Sequence, residues 1–166
     1  LFSGMLPEVF SGYEFWSISN GTAPMISGSR ESSKGKKGQP GGPVRLPFLG
    51  ASSDVQLLFA GNVGNYSRAI NDNGDACFEA AQASLKSFLY YDAINPSTNQ
   101  RYGTNGDGVL PLSEMVITQN ADWVNDQGGM RLDGVNNRGL SGLGQICGFA
   151  YGAQRGFLLS PYIPAD

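Results

Sequence analysis

The chain has 166 residues, of which 15% are charged, 24 are glycine and none is histidine, and its formal net charge is −3. The lack of histidine excludes Ser-His and Cys-His nucleophile pairs, and the acidic balance excludes an overall positive field for nucleic acid. The length predicts one domain over 1–166, and the low charge with many turn residues favours a secreted or cell-surface protein.

Strand patterns occupy the first part of the chain. An alternating segment and its return around Asn20-Gly21 predict a hairpin, and three further apolar segments predict strands. In order, the five segments are Tyr13–Asn20, Pro24–Ser27, Val44–Leu49, Val55–Ala60 and Asn65–Ile70. Pro47 is expected to keep the third segment at a sheet edge, whereas the fourth is predicted to be central.

Residues 27–43 are rich in glycine and serine and predict a flexible loop. Its basic side chains are Arg30, Lys34, Lys36 and Lys37. They could contact an anionic glycan, a polyanionic surface or a neighbouring subunit. A solvated loop without a ligand is the simpler interpretation, because charge runs in such segments are usually solvated.

Residues 75–92 have the clearest helical period of the chain. Apolar and small side chains recur at three- and four-residue steps from Cys77 to Phe88, Asp75 suits the N-cap, and Pro96 ends the pattern. We therefore predict one main helix over about 75–93.

A second amphipathic stripe predicts a short helix over Leu112–Trp123, with Pro111 suited to its first turn; a strand over Met115–Thr118 is the alternative. Ile146–Tyr151 and Gly156–Leu159 are predicted to be closing strands. The predicted fold is α+β: a loop-rich antiparallel sheet packed on one main helix, with a short second helix.

The chain has two cysteines, Cys77 and Cys147. A composition typical of extracellular proteins favours one disulfide between them, and two buried free thiols are the alternative.

Residues 103–114 can be aligned with the twelve-residue calcium loop of an EF-hand. Asn105, Asp107 and Glu114 then occupy ligand positions, and Gly108 occupies the tight turn. However, the first ligand position is Gly103, and Asn-Gly-Asp-Gly is a common turn. The sequence favours a polar turn, with calcium as the alternative, and no other cofactor is predicted.

Carboxylate pairs for glycoside hydrolysis are a further hypothesis, because this chemistry needs no histidine. The candidates are Glu14, Glu79, Glu114, Asp122, Asp126 and Asp133. An aromatic platform for sugar stacking could involve Trp16, Trp123, Tyr90, Tyr91, Tyr102 and Tyr151, although such side chains more often form core. If the source is eukaryotic, Asn20 and Asn65 are glycosylation acceptors.

The layout resembles that of type IVb pilins. Gly4–Gly12 and the aromatic strand near Trp16 resemble the segment after the long N-terminal helix of those proteins. Asn65–Cys77, a strand leading to a cysteine at a helix start, and Cys147 near the C-terminus are similar to their disulfide-bounded region. The resemblance implies an α+β head that packs into an extracellular fibre without catalysis. Membrane attachment would come only through a missing N-terminal segment.

The sequence thus predicts a non-catalytic structural or adhesive domain at the cell surface. Its expected partners are copies of itself, in a homo-oligomer or filament, or a glycan or host-surface ligand. A viral or phage capsid or spike domain is one alternative, in which the cysteines would more often be reduced. A small secreted hydrolase that uses carboxylates is the other.

Overall fold

The structure, a computed structural model, describes residues 10, 12–31, 41–58, 66–80, 86–103, 105–115, 130–138, 144–151 and 154–160. Over these residues the chain consists of short strands joined by turns, one four-residue α-helix and a 3-10 turn over Ser52–Asp54. In chain order the elements are β1 (Tyr13–Ile18), β2 (Met25–Arg30), β3 (Gly42–Pro47), β4 (Gln56–Leu57), β5 (Tyr66–Ile70), β6 (Ala76–Ala80), β7 (Lys86–Tyr90), β8 (Ile94–Asn95), β9 (Gln100–Arg101), β10 (Val109–Pro111), α1 (Leu112–Met115), β11 (Met130–Val135), β12 (Ile146–Ala150) and β13 (Arg155–Leu159).

Three antiparallel sheets contain most of these strands. The first sheet has the order β1-β2-β3-β4, the middle sheet β10-β7-β6-β5, and the C-terminal sheet β11-β12-β13. The two-residue strands β8 and β9 pair with each other.

The middle sheet is covered on both faces. Phe78 of β6 lies in a core on one face, against which Met25 of the first sheet packs. Cys77 and its cross-strand partner Leu89 lie in a core on the opposite face, together with Leu132 of the C-terminal sheet. The first and C-terminal sheets therefore cover opposite faces of the middle sheet, which is the centre of the fold.

The predicted main helix over about 75–93 is wrong. The structure has two antiparallel strands there, β6 and β7, and residues 81–85 lie outside the described residues. Cys77 and Phe78 are neighbours in the chain, and both are fully buried, on opposite faces. A strand buried on both faces loses the alternation of polar and apolar residues, so its sequence can imitate a helix.

The predicted α+β class is wrong as well, because the described chain is built of β-sheets without a main helix. Of the second predicted helix, Leu112–Trp123, the structure describes one helical turn, α1, and residues 116–129 lie outside the described residues. Pro111, expected in the first helical turn, is the last residue of β10.

Most strand predictions are confirmed. The hairpin of β1 and β2 turns around Asn20-Gly21, and β5, β12 and β13 lie where strands were predicted. The order within the first sheet was wrong: β4 is at the edge, and β3 lies between β2 and β4. Pro47 is compatible with that position because it is the last residue of β3. The pattern missed β11 because glycine and aspartate interrupt it.

The predicted disulfide is also wrong: the structure has no bond between Cys77 and Cys147, and both are thiols. Cys77 is buried between the middle and C-terminal sheets, whereas Cys147 is exposed on β12. Burial raises the pKa of the Cys77 thiol, and nearby Cys147 and Asp75 add to the rise. The predicted disulfide therefore no longer supports the expected extracellular location.

Candidate functional site

The turn between β5 and β6 builds a polar centre in the middle sheet. The side-chain oxygen of Asn71 accepts the backbone N–H groups of Asn73 and Asp75 at 3.0 and 2.9 Å. Gly74 has a φ of 82°, a left-handed conformation that glycine adopts readily. The Asn71 amide then donates to Asp75 Oδ2 at 3.0 Å, which fixes this carboxylate at the start of β6.

Asp75 is only 1% exposed and receives hydrogen bonds from several parts of the chain. Arg138 donates to both of its carboxylate oxygens, with Nε 2.8 Å from Oδ2. The backbone N–H of Asp92 donates to Oδ1 at 2.9 Å. Arg138 also lies 4.4 Å from the ring centroid of Tyr91, a cation–π contact. The hydrogen bond to Asp75 raises the pKa of Arg138, so the guanidinium keeps its charge.

A second ion pair joins the first sheet to the middle sheet. Arg45 of β3 donates to Asp92 Oδ2 at 2.8 Å and to the carbonyl oxygen of Gly74 at 2.7 Å. Its guanidinium lies 4.9 Å from the ring centroid of Tyr90, and Gln56 accepts its remaining hydrogen bonds.

Asp92 is shared between two arginines. Its Oδ1 accepts from Arg101 Nε at 3.2 Å, opposite the oxygen that accepts from Arg45. Burial acts to raise the pKa of Asp92, but the hydrogen bonds and charges of the two arginines outweigh it and lower the pKa below its ordinary value. Burial raises the pKa of the neighbouring Tyr90, and the charge of Asp92 adds to the rise.

This polar cluster (Asp75, Asp92, Arg45, Arg101 and Arg138) is suited to holding elements together. Each carboxylate accepts hydrogen bonds from at least one arginine, and these bonds hold the carboxylates in place between segments. Its bonds connect β3, the turn before β6, the segment after β7 and the segment after β11.

Sequence reasoning recognised only one member of the cluster, Asp75, and assigned it as a helix cap. The signal that could have found another was Arg45, a charged residue between the apolar residues Val44 and Leu46. A buried charge in a strand needs a partner of opposite sign, although the sequence does not say which one.

The predicted calcium loop is a series of tight turns. Its glycines at positive φ are Gly103 (99°), Gly106 (66°) and Gly108 (87°). Asp107 accepts the backbone N–H of Val109 at 2.9 Å, and Asn105 is exposed. The side chain of Glu114, the third predicted ligand, lies outside the described residues. Among the described residues, no group of three Cys, Asp or Glu side chains is placed to hold a metal ion.

The three predicted carboxylates whose side chains the structure describes, Glu14, Glu79 and Asp133, lie on different strands. Glu79 is buried and pairs with Arg68 at 2.9 Å, and Asp133 pairs with Arg131. Glu14 is exposed on β1. The side chain of Glu114, and the whole of Asp122 and Asp126, lie outside the described residues.

The predicted aromatic platform is divided between interior and surface. Tyr90 and Tyr91 are buried, and Tyr102 packs against Tyr91 with ring centroids 5.2 Å apart. Trp16 is 55% exposed on β1, and Tyr151 follows β12. The sixth candidate, Trp123, lies outside the described residues.

The predicted contact and glycosylation residues are described only in part. Arg30 is the half-buried last residue of β2, and Asn20 is exposed in the turn after β1. The other candidates, Lys34, Lys36, Lys37 and Asn65, lie outside the described residues.

Comparisons with known proteins give no relative. No family model matches the chain, no curated protein matches it, and no solved structure matches it. None of the helices in the described ranges has the length and hydropathy that crossing a bilayer requires.

Proposed function

We propose that the chain is a non-catalytic structural domain that acts by assembly with copies of itself. The polar cluster is the observation that supports this proposal best. Its two carboxylates are held by arginines from separate segments, an arrangement that serves packing between the sheets. An extracellular fibre subunit of the pilin-like kind is one form of this function.

The two thiols favour a second form, a capsid-like or spike-like domain. Cys77 and Cys147 do not form a disulfide in the structure, and reduced cysteines are typical of proteins that mature inside cells. Both forms depend on assembly, but the fibre subunit would act outside the cell, whereas the capsid-like domain would mature inside it. Titration of thiols in the denatured, non-reduced protein from its natural source separates them: two thiols support the capsid-like form, and none supports the extracellular form.

Assembly is tested by sedimentation velocity from low to high micromolar concentration, followed by electron microscopy of the concentrated sample. We expect the weight-average mass to rise with concentration. A monomer throughout this range contradicts the proposal.

The hydrolase alternative has its own test. Purified protein is screened against a panel of polysaccharides, with Asp133→Asn and Glu79→Gln as matched variants. Turnover that either variant abolishes, while the fold remains intact, overturns the non-catalytic proposal.

A further inference from the structure

Edge strands decide where a β-protein can add strands, because each edge has unpaired backbone groups. Natural edges are usually protected by bulges, proline or short length. Among the described residues, the three sheets have six edge strands: β1, β4, β5, β10, β11 and β13.

Five of these edges have a protecting feature. The register shifts in β1 between Phe15 and Ser17, in β5 between Ser67 and Ala69, and in β11 between Leu132 and Gly134. β4 has only two residues, and β10 has three residues and ends in proline. A second chain could not extend these edges far without meeting a kink or the end of the strand.

β13 has none of these features. Its five residues pair with β12 without a register shift, from Arg155 opposite Ala150 to Leu159 opposite Ile146. It contains no proline and no acidic residue. Among the described residues it is thus the edge best formed to accept a strand.

The side chains of β13 are complementary to themselves. Gly156 and Leu158 lie on the same outer face, because side chains alternate along a strand. Leu158 is 62% exposed, and a Cβ added at Gly156 would meet nothing nearer than 3.7 Å. The strand therefore presents an exposed leucine and, two residues earlier, an open space.

We propose that β13 is the strand through which two copies of this chain pair, antiparallel and centred on Phe157. This register places each Leu158 opposite Gly156 of the other copy, so that the leucine covers the open space. The same patch is used by both copies, as a two-fold interface requires.

The charges of β13 are compatible with this pairing. Its single charged residue, Arg155, would lie opposite Leu159 of the other copy. The two arginines would then be at opposite ends of the paired strands, about 13 Å apart at the usual rise per residue. That separation exceeds the screening length of about 8 Å at physiological ionic strength, so their repulsion is weak.

This inference rests on the proposed assembly function and names its surface. A two-fold interface closes after two copies, so a longer fibre would need another surface.

The first test is sedimentation velocity on the full chain and three variants. Leu158→Lys and Gly156→Lys each place a charge on the paired face, and Gly156→Lys also fills the open space. The matched control is Leu49→Lys, since Leu49 is 93% exposed in the turn after β3. We expect at least tenfold weaker dimerisation for the two β13 variants and no change for the control, with thermal unfolding confirming that all three are folded.

The register is tested by crosslinking in a Cys147→Ser background. Chains with Gly156→Cys are mixed with chains with Leu158→Cys and oxidised. We expect crosslinked dimers in the mixture at several times the yield of either variant alone. Equal yields in all samples would overturn the proposed register.

The outcomes separate the two proposals. If the wild-type chain associates and the β13 variants associate equally well, this surface is wrong and the assembly function stands. If the wild-type chain is monomeric at every concentration, both proposals fail. The backbone groups at the edge of β13 would then have their hydrogen-bond partners within one copy or in water.

Discussion

Two ion pairs of this protein have the same chemistry in different surroundings. Asp75–Arg138 lies at the start of the middle sheet, with the carboxylate 2% exposed. Asp133–Arg131 lies on the C-terminal sheet, with side chains 34% and 31% exposed. The first pair joins distant segments, whereas the second joins residues two apart on one strand. Breaking the buried pair should therefore cost the fold more than breaking the partly exposed pair.

Asp75→Ala should have the largest effect. Removal of a buried partner leaves Arg138, Asn71 and a backbone N–H without their acceptor, and we expect a loss of about 3–5 kcal/mol in the free energy of unfolding. Asp133→Ala is the matched control and should lose less than about 1 kcal/mol, because water screens the exposed pair. Urea unfolding measures both. Similar losses for the two variants would remove the contrast between the sheets.

The two faces of the C-terminal sheet can be compared by alanine at two glycines. A Cβ at Gly148 would overlap the backbone oxygen of Arg131 and the ring of Phe157, whereas Gly156 has open space. We expect Gly148→Ala to lose about 1–3 kcal/mol through overpacking. Gly156→Ala should stay within about 0.5 kcal/mol in the monomer. A neutral Gly148→Ala in thermal unfolding would show that the inner face is loosely packed.

Acid should weaken the contact between the first and middle sheets. The pKa of Asp92 is lowered in the folded state, so the unfolded chain binds the proton more readily. Its contribution is complete above the unfolded value of about 3.9 and is lost as the pH falls through the folded value. The free energy of unfolding is measured with urea from about pH 6 to about pH 3. We expect it to fall less in this range for Asp92→Asn than for wild type. Glu14→Gln on the exposed face of β1 should retain the wild-type slope.

The smallest effect is expected at Ser27, in the centre of the first sheet. Its buried hydroxyl has no hydrogen-bond partner in the structure. An unsatisfied buried hydroxyl is unfavourable, so Ser27→Ala should change stability by less than about 1 kcal/mol, toward greater stability. If Ser27→Ala instead lowers the free energy of unfolding by more than about 2 kcal/mol, the hydroxyl has a hydrogen-bond partner, such as a bound water.

Sequence patterns located two edge strands of this protein correctly, but they predicted a helix where two central strands lie. Tyr13–Ile18 and Arg155–Leu159 lie at sheet edges, and the pattern located both. β6 and β7 lie between other strands, and there the burial of Cys77 and Phe78 on opposite faces produced a false helical period. Local reasoning therefore failed where contacts from two other sheets decide the conformation.

The candidate site was less predictable than the fold. The partners of the polar cluster are far apart in sequence: 47 residues separate Arg45 from Asp92, and 63 separate Asp75 from Arg138. No local spacing encodes such pairs, because only the stacking of three sheets brings them within hydrogen-bond distance.

The sequence by itself determined the turn-rich character, the first hairpin, the closing strands and the absence of histidine chemistry. These properties follow from composition and from neighbours along the chain. Only the tertiary structure decided that residues 76–80 and 86–90 are strands, that the two cysteines do not form a disulfide, and that β13 is an edge strand without a register shift. The physical reason is that burial on two faces, ion-pair partners and sheet order all depend on contacts between segments that are distant in the chain.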